Sequence, residues 1–164
     1  MQEQFRHHLL VTDPDTIRAI VASSGFFNEE EILIAGELAE ERLARETSSY
    51  QFVFLEQESR VVGYSCYGHI PGTTASYDLY WIAVDSAERG RGIGRRVLAE
   101  TIKCIQTCGG KNVYAETSSR TLYLPTQQFY EKNGFFLEST IQDFYDEDDS
   151  KLIYTCRMIA GELS

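Results

Sequence analysis

Between Arg89 and Arg96 the chain reads Arg-Gly-Arg-Gly-Ile-Gly-Arg-Arg, so four arginines and three glycines fall within eight positions. Interleaved in this way, the two residue types suit an anion. Glycine lets the backbone approach with no Cβ in the way, and arginine supplies charge and hydrogen-bond donors. A solvated helix face would explain the arginines but not the glycines between them. The run begins five residues after the apolar stretch Tyr80–Val84 and opens a helical pattern. A strand therefore feeds a glycine-rich turn, and free backbone N–H groups at the start of the helix can hold a phosphate.

Spacing narrows the choice of ligand. A dinucleotide fingerprint would need glycine where Arg95 stands, and the Gly-Lys-Ser/Thr of a mononucleotide loop is absent.

The elements that must position this loop follow from periodicity. Phe5 to Val11 reads as a first strand. Asp13-Pro14 then supplies an N-cap and a proline at the first position of a helix running to about Ser23. Asn28 with Glu31 resembles a capping box, and Ile32, Ala35, Leu38, Ala39 and Leu43 recur at helical spacing up to about Arg45. From Tyr50 the period changes to two. Tyr50–Leu55, Arg60–Ile70 and Ser76–Val84 read as a three-stranded antiparallel meander. Strict alternation along the third strand would place Tyr77 and Trp81 on one face and Tyr80 with Asp78 on the other.

Gly92–Cys108 is the longest amphipathic helix, stopped by Gly109-Gly110. Asn112–Thr117 follows as a strand parallel to the one before the helix, because a crossover through a helix makes parallel neighbours. A short helix from Thr126 to Lys132 ends at Asn133-Gly134, and Phe135–Phe144 with Lys151–Met158 close the chain as a hairpin around Asp146–Asp149. One domain spanning residues 1–164 is the expected organisation.

Composition sets further bounds. The formal charge of −10 argues against a general nucleic-acid binder. No apolar run approaches the roughly 20 residues that cross a bilayer, and the first residues lack a secretory pattern; a cytoplasmic protein with no membrane partner is expected. Cys66, Cys104, Cys108 and Cys156 form neither a CxxC pair nor a zinc-ligand cluster, so they read as reduced core residues and no metal is expected. His7, His8 and His69 receive no role.

Arg89, Gly92 and Gly94 match the Gln/Arg-x-x-Gly-x-Gly/Ala signature of the GNAT N-acetyltransferase superfamily, and Phe129-Tyr130-Glu131-Lys132-Asn133-Gly134-Phe135 resembles that family's FYxxxGF signature. The order of elements resembles the family over nearly the whole chain. The resemblance implies an α+β fold of three layers: a mixed central sheet of about six or seven strands with helices on both faces. It implies acetyl-CoA as acyl donor. The backbone of Ile82, Ala83 and Val84 would pair with the pantetheine arm like an added strand. The loop of Arg89, Gly90, Arg91, Gly92, Ile93, Gly94 and Arg95 would take the pyrophosphate.

The same resemblance places Tyr130 at the thioester. A thiol with pKa of about 8.5 can be protonated as it leaves by a tyrosine of pKa about 10. A backbone N–H near Ile82 would serve the developing oxyanion. Asp78 and Glu116, whose strands would border the cleft, are the candidates for draining the proton of a primary amine. Direct attack in a ternary complex is the expected route, since no cysteine has a partner histidine. Two alternatives stay open: a module that senses acyl-CoA without turnover, and an acyltransferase using another acyl group. The terminal hairpin is a candidate for pairing across a homodimer.

Overall fold

The protein is described here by a computed structural model covering residues 2–158. In chain order its elements are β1 (Glu3–Arg6), α1 (Asp13–Ser23), α2 (Glu29–Ala44), β2 (Gln51–Gln57), β3 (Arg60–His69), β4 (Ser76–Val84), α3 (Ile93–Thr107), β5 (Asn112–Ser118), α4 (Leu124–Lys132), β6 (Phe136–Asp146) and β7 (Asp149–Arg157), with 3-10 turns at Ser86–Glu88 and Thr121–Tyr123. The strands form one mixed sheet in the order β1-β2-β3-β4-β5-β7-β6. β4 and β5 run parallel, as the helical crossover requires, while β1–β2, β2–β3, β5–β7 and β6–β7 are antiparallel. This is an α+β fold. The hairpin's second strand, β7, lies next to β5 and leaves β6 at the edge.

Contacts divide the chain into two units, one built from the residues up to Gly68 with Tyr80–Lys103, the other from His69–Leu79 with the residues from Cys104 on. In the first, Ile17, Ile20 and Val21 of α1 and Ala35 and Ala39 of α2 pack on Phe52, Phe54, Tyr64, Cys66 and Ala83. α3 covers the other face of β3. A Cβ on Gly63 would come within 2.8 Å of the Ile93 side chain, and the Ser65 and Thr101 hydroxyls meet at 2.6 Å. Successive β3 side chains thus serve opposite helical layers. The capping box opens α2: the Asn28 side chain accepts from Glu31 N–H at 2.9 Å, and Glu31 accepts from Asn28 N–H.

The first strand is shorter and earlier than its sequence suggests, ending at Arg6 and not running to Val11. A buried ion network accounts for this. The Arg6 guanidinium makes two hydrogen bonds to Asp13, at 2.7 and 2.9 Å, and one to Glu56 at 2.6 Å, while Leu10 N–H donates to Asp13 at 2.6 Å. The chain must turn after Arg6 to bring Asp13 back. Asp13 is therefore the first residue of α1 and the anchor of its entry loop; the N-cap is Thr12, which makes no side-chain cap bond. Gln4 and Arg6 together hold the Glu56 carboxyl below its ordinary range.

Asp13 is 1% exposed and Arg6 8%. Removing Asp13 leaves Arg6 with Glu56 as its remaining carboxylate and takes the acceptor from Leu10 N–H, so Asp13→Ala should destabilise the fold by about 2–4 kcal/mol. Urea denaturation of the two proteins measures this; a loss below ~1 kcal/mol would make the network a surface ornament.

In the second unit, α4 lies against β7 through Tyr130, whose ring centroid is 5.2 Å from that of Phe135 and 5.7 Å from that of Tyr154. Of the four cysteines only Cys66 is buried; Cys104 and Cys156 are half-buried and Cys108 is exposed. Cys108 leaves the apolar stripe because α3 ends at Thr107 and Gly109 turns the chain at φ +85°. Among the described residues, no helix is long and apolar enough to cross a membrane.

Candidate functional site

β4 delivers the chain into the arginine-glycine loop through a turn of its own making. Asp85 N–H bonds the Val62 carbonyl at 2.9 Å, and the Asp85 side chain accepts from Ala87 N–H at 3.0 Å to start the 3-10 turn. Gly90 and Gly92 then adopt φ of +79° and +73°, a conformation that a side chain resists. A Cβ at either position would meet nothing within 4 Å, so both glycines face open space. α3 begins at Ile93, whose side chain is core at 1% exposure. Its contribution to an anion site is therefore backbone N–H, shared with the adjoining residues that have no helical acceptor.

The arginines of this run have separate duties. Arg89 donates to the Ser24 carbonyl at 2.7 Å and lies over the Phe26 ring at 5.6 Å. Arg91 pairs with Glu88 at 2.9 Å, and Glu88 is also held by Arg60 at 2.6 Å. Arg96 pairs with Glu3. Arg95 is exposed and makes no ion pair among the described residues. Glu88, 9% exposed in the turn before the loop, tempers the charge of the run, a role not legible in the run itself.

Further back along β4, Ala83 is buried and Ile82 and Val84 are half-buried. Pairing with β5 covers Ser76–Leu79 against Asn112–Ala115. Within the second unit Tyr77 meets His69 at 5.3 Å between ring centroids, and within the first Trp81 meets Phe27 at 4.9 Å.

The second unit holds the remaining candidates. Asp78 is opposite Tyr114, and Glu116 is opposite Ile153 two positions further along the same face of β5. Lys151, opposite Ser118, reaches diagonally to Glu116 at 3.0 Å. Burial and the Glu116 carboxylate push the Asp78 carboxyl above its ordinary range, and the Lys151 ammonium opposes them. Sequence reasoning had named the two carboxylates but not the lysine, because their meeting depends on β7 lying beside β5.

Tyr130 lies on the opposite face of this sheet, where Tyr154 stands across from Ala115. It is 5% exposed, and burial raises its hydroxyl well above the usual phenol range. Its carbonyl accepts from both Asn133 N–H and Phe135 N–H at 3.1 and 3.0 Å, and Gly134 sits at φ +88° to allow it. Tyr154 donates to Glu131 at 3.1 Å and is pushed up to about 12 by burial and that carboxylate.

Residues 48–136 match the family described as acetyltransferase (GNAT) domain. That stretch contains the loop, Asp78, Glu116 and Tyr130 together. The chain belongs to the GNAT acetyltransferase family. It is thereby an acyl-CoA-dependent N-acyltransferase. A GNAT-family protein from Desulfovibrio desulfuricans is 40% identical, with a TM-score of 0.92 over 95% of this chain and 99% of that one. The PaiA N-acetyltransferase from Thermoplasma acidophilum, in complex with coenzyme A, has a TM-score of 0.72 at 20% identity and covers 96% of this chain and 100% of its own. The ribosomal-protein-S18-alanine N-acetyltransferase from Escherichia coli has a TM-score of 0.73 at 17% identity, covering 99% of both chains. A search of the curated proteins finds no match. At 17–20% identity these last two share the fold, and the fold leaves the acceptor open.

Proposed function

We propose that this GNAT enzyme transfers an acetyl group from acetyl-CoA to a primary amine by direct attack. The observation that carries the reading is the loop in front of α3, where Gly90 and Gly92 hold left-handed conformations facing open space within the family match. Backbone N–H groups of Gly92, Ile93, Gly94 and Arg95 take the pyrophosphate, with Arg89, Arg91 and Arg95 supplying charge at the rim. The backbone of Ile82–Val84 pairs with the pantetheine arm. A backbone N–H near Ile82 serves as donor to the developing oxyanion.

In the chemical step the amine nitrogen attacks the thioester carbonyl and the sulfur leaves with the electrons of the broken C–S bond. Tyr130 gives that thiolate its proton. Asp78 accepts a proton from the amine, directly or through water, and its raised carboxyl makes it a better acceptor than an ordinary aspartate. Two carboxylates against one ammonium on this face favour a cationic acceptor. The test is thiol release from acetyl-CoA with pooled amines and peptides. Release with one pool identifies the acceptor class; tight CoA binding with no release from any pool would make the chain a sensor. Parallel assays with longer and acidic acyl-CoAs fix the acyl preference.

The rim arginines carry a second expectation. CoA affinity should fall as salt is raised from 50 to ~500 mM, because part of the attraction is screened at an exposed site. Arg95→Gln should flatten that dependence more than Arg91→Gln, since Arg91 is already paired with Glu88. Calorimetric titration across salt concentrations reads both slopes, and salt-independent affinity would remove the arginines from the site.

A further inference from the structure

We propose that Lys151 is a positioning residue for the transfer reaction: by pairing with Glu116 on the face that carries Asp78, it keeps a two-carboxylate site able to accept the proton of the incoming amine. This rests on the reading of Asp78 as the acceptor of that proton. The geometry begins with register. β5 pairs with β7 without a break, Ser118 against Lys151 and Glu116 against Ile153, so Lys151 and Glu116 are diagonal neighbours on one face. Asp78 joins that face through its pairing with Tyr114.

The lysine is held as well as paired. Its side chain is 15% exposed, whereas the Glu116 carboxylate it contacts is 49% exposed. On its other side the ammonium lies 4.3 Å from the centroid of the Phe144 ring, a favourable seat for a cation. A loose surface pair would leave the lysine stem in water. Here the cation is fixed from two sides, and the carboxylate is the partner left open to solvent.

The groups that face Asp78 are few. Among the described residues of its unit, β5 brings Tyr114 and Glu116 and β7 brings Lys151. His69 of β3 lies against the ring of Tyr77, away from this face. Two neighbouring carboxylates resist being ionised together, and a single cation relieves that resistance. The Lys151 ammonium acts in that direction on Asp78, against burial and Glu116. Without it Asp78 would hold its proton to higher pH, and the range over which it can act as a base would narrow from below.

Lys151→Met keeps the length and removes the charge; Lys151→Arg keeps the charge. The titration of the Asp78 carboxyl, followed by NMR in the whole ¹³C-labelled protein, needs no acceptor. Its midpoint should rise in Lys151→Met and return toward the original in Lys151→Arg. Thiol release from acetyl-CoA with the most active amine pool should fall in Lys151→Met about ten-fold at a pH one unit below the raised midpoint, short of the ~10²-fold expected on deleting a base. It should recover at higher pH, with KM for acetyl-CoA unchanged. An unmoved or lowered midpoint, or an equal loss of turnover at every pH, overturns the proposal. Full turnover in Asp78→Asn overturns the base assignment and with it the role of Lys151. A midpoint that still moves in Lys151→Met then locates that failure in the base and not in the ion pair.

Discussion

Tyr130→Phe is expected to lower turnover about 10²-fold while affinity for CoA stays near its original value. Loss of a positioned acid costs roughly 10²–10⁴-fold, and a thiolate is a tolerable leaving group, which places this case at the lower end. The substitution removes one oxygen and keeps the ring, so the contacts with Phe135 and Tyr154 that seat α4 survive. Burial raises the Tyr130 hydroxyl, which keeps it in the protonated form that can donate throughout the neutral range. The rate profile should consequently show no alkaline limb from this residue below pH ~10. Single-turnover measurement isolates the chemical step. Full turnover in Tyr130→Phe under those conditions would make the tyrosine a packing residue beneath β7.

Much of this arrangement is legible before any coordinates exist, for reasons that differ by element. β4 reads from Ser76 to Val84 because an apolar and aromatic run is bounded by turn residues on both sides, and α2 reads from its capping box. Gly90 and Gly92 take left-handed φ of +79° and +73°, a local demand that glycine meets. The misreadings are long-range. β1 ends at Arg6 because that guanidinium is tied to Asp13 and to Glu56, 50 positions away, and no window of local sequence contains the third partner. The same holds for Arg96, which looks like a free cation in the run but is paired with Glu3, 93 positions away.

Lys151 escaped notice for a topological reason. A terminal hairpin read from sequence has two strands of equal standing, and only the order β5-β7-β6 decides that the second one brings its lysine to Glu116.

Replacing Gly92 by valine should weaken CoA binding by about 10- to 100-fold and leave a folded protein. The affinity term follows from hydrogen bonds to a charged group, worth about 1.5–3 kcal/mol each, where a factor of ten corresponds to about 1.4 kcal/mol. Two effects of the substitution must be separated. Gly92 has φ of +73°, so any side chain carries a backbone cost of about 1–2 kcal/mol, and a β-branched one more. In the free protein the new Cβ meets nothing within 4 Å, so the added bulk matters only when an anion sits against the loop. Gly72→Val provides the control: φ is +83° and a Cβ there also meets open space, but the residue lies in the turn between β3 and β4, outside the loop. Both variants should melt lower by similar amounts. Only Gly92→Val should lose CoA affinity in calorimetric titration. Equal affinities in the two folded variants would mean that the pyrophosphate does not approach Gly92, and the anion site would have to be sought away from the start of α3.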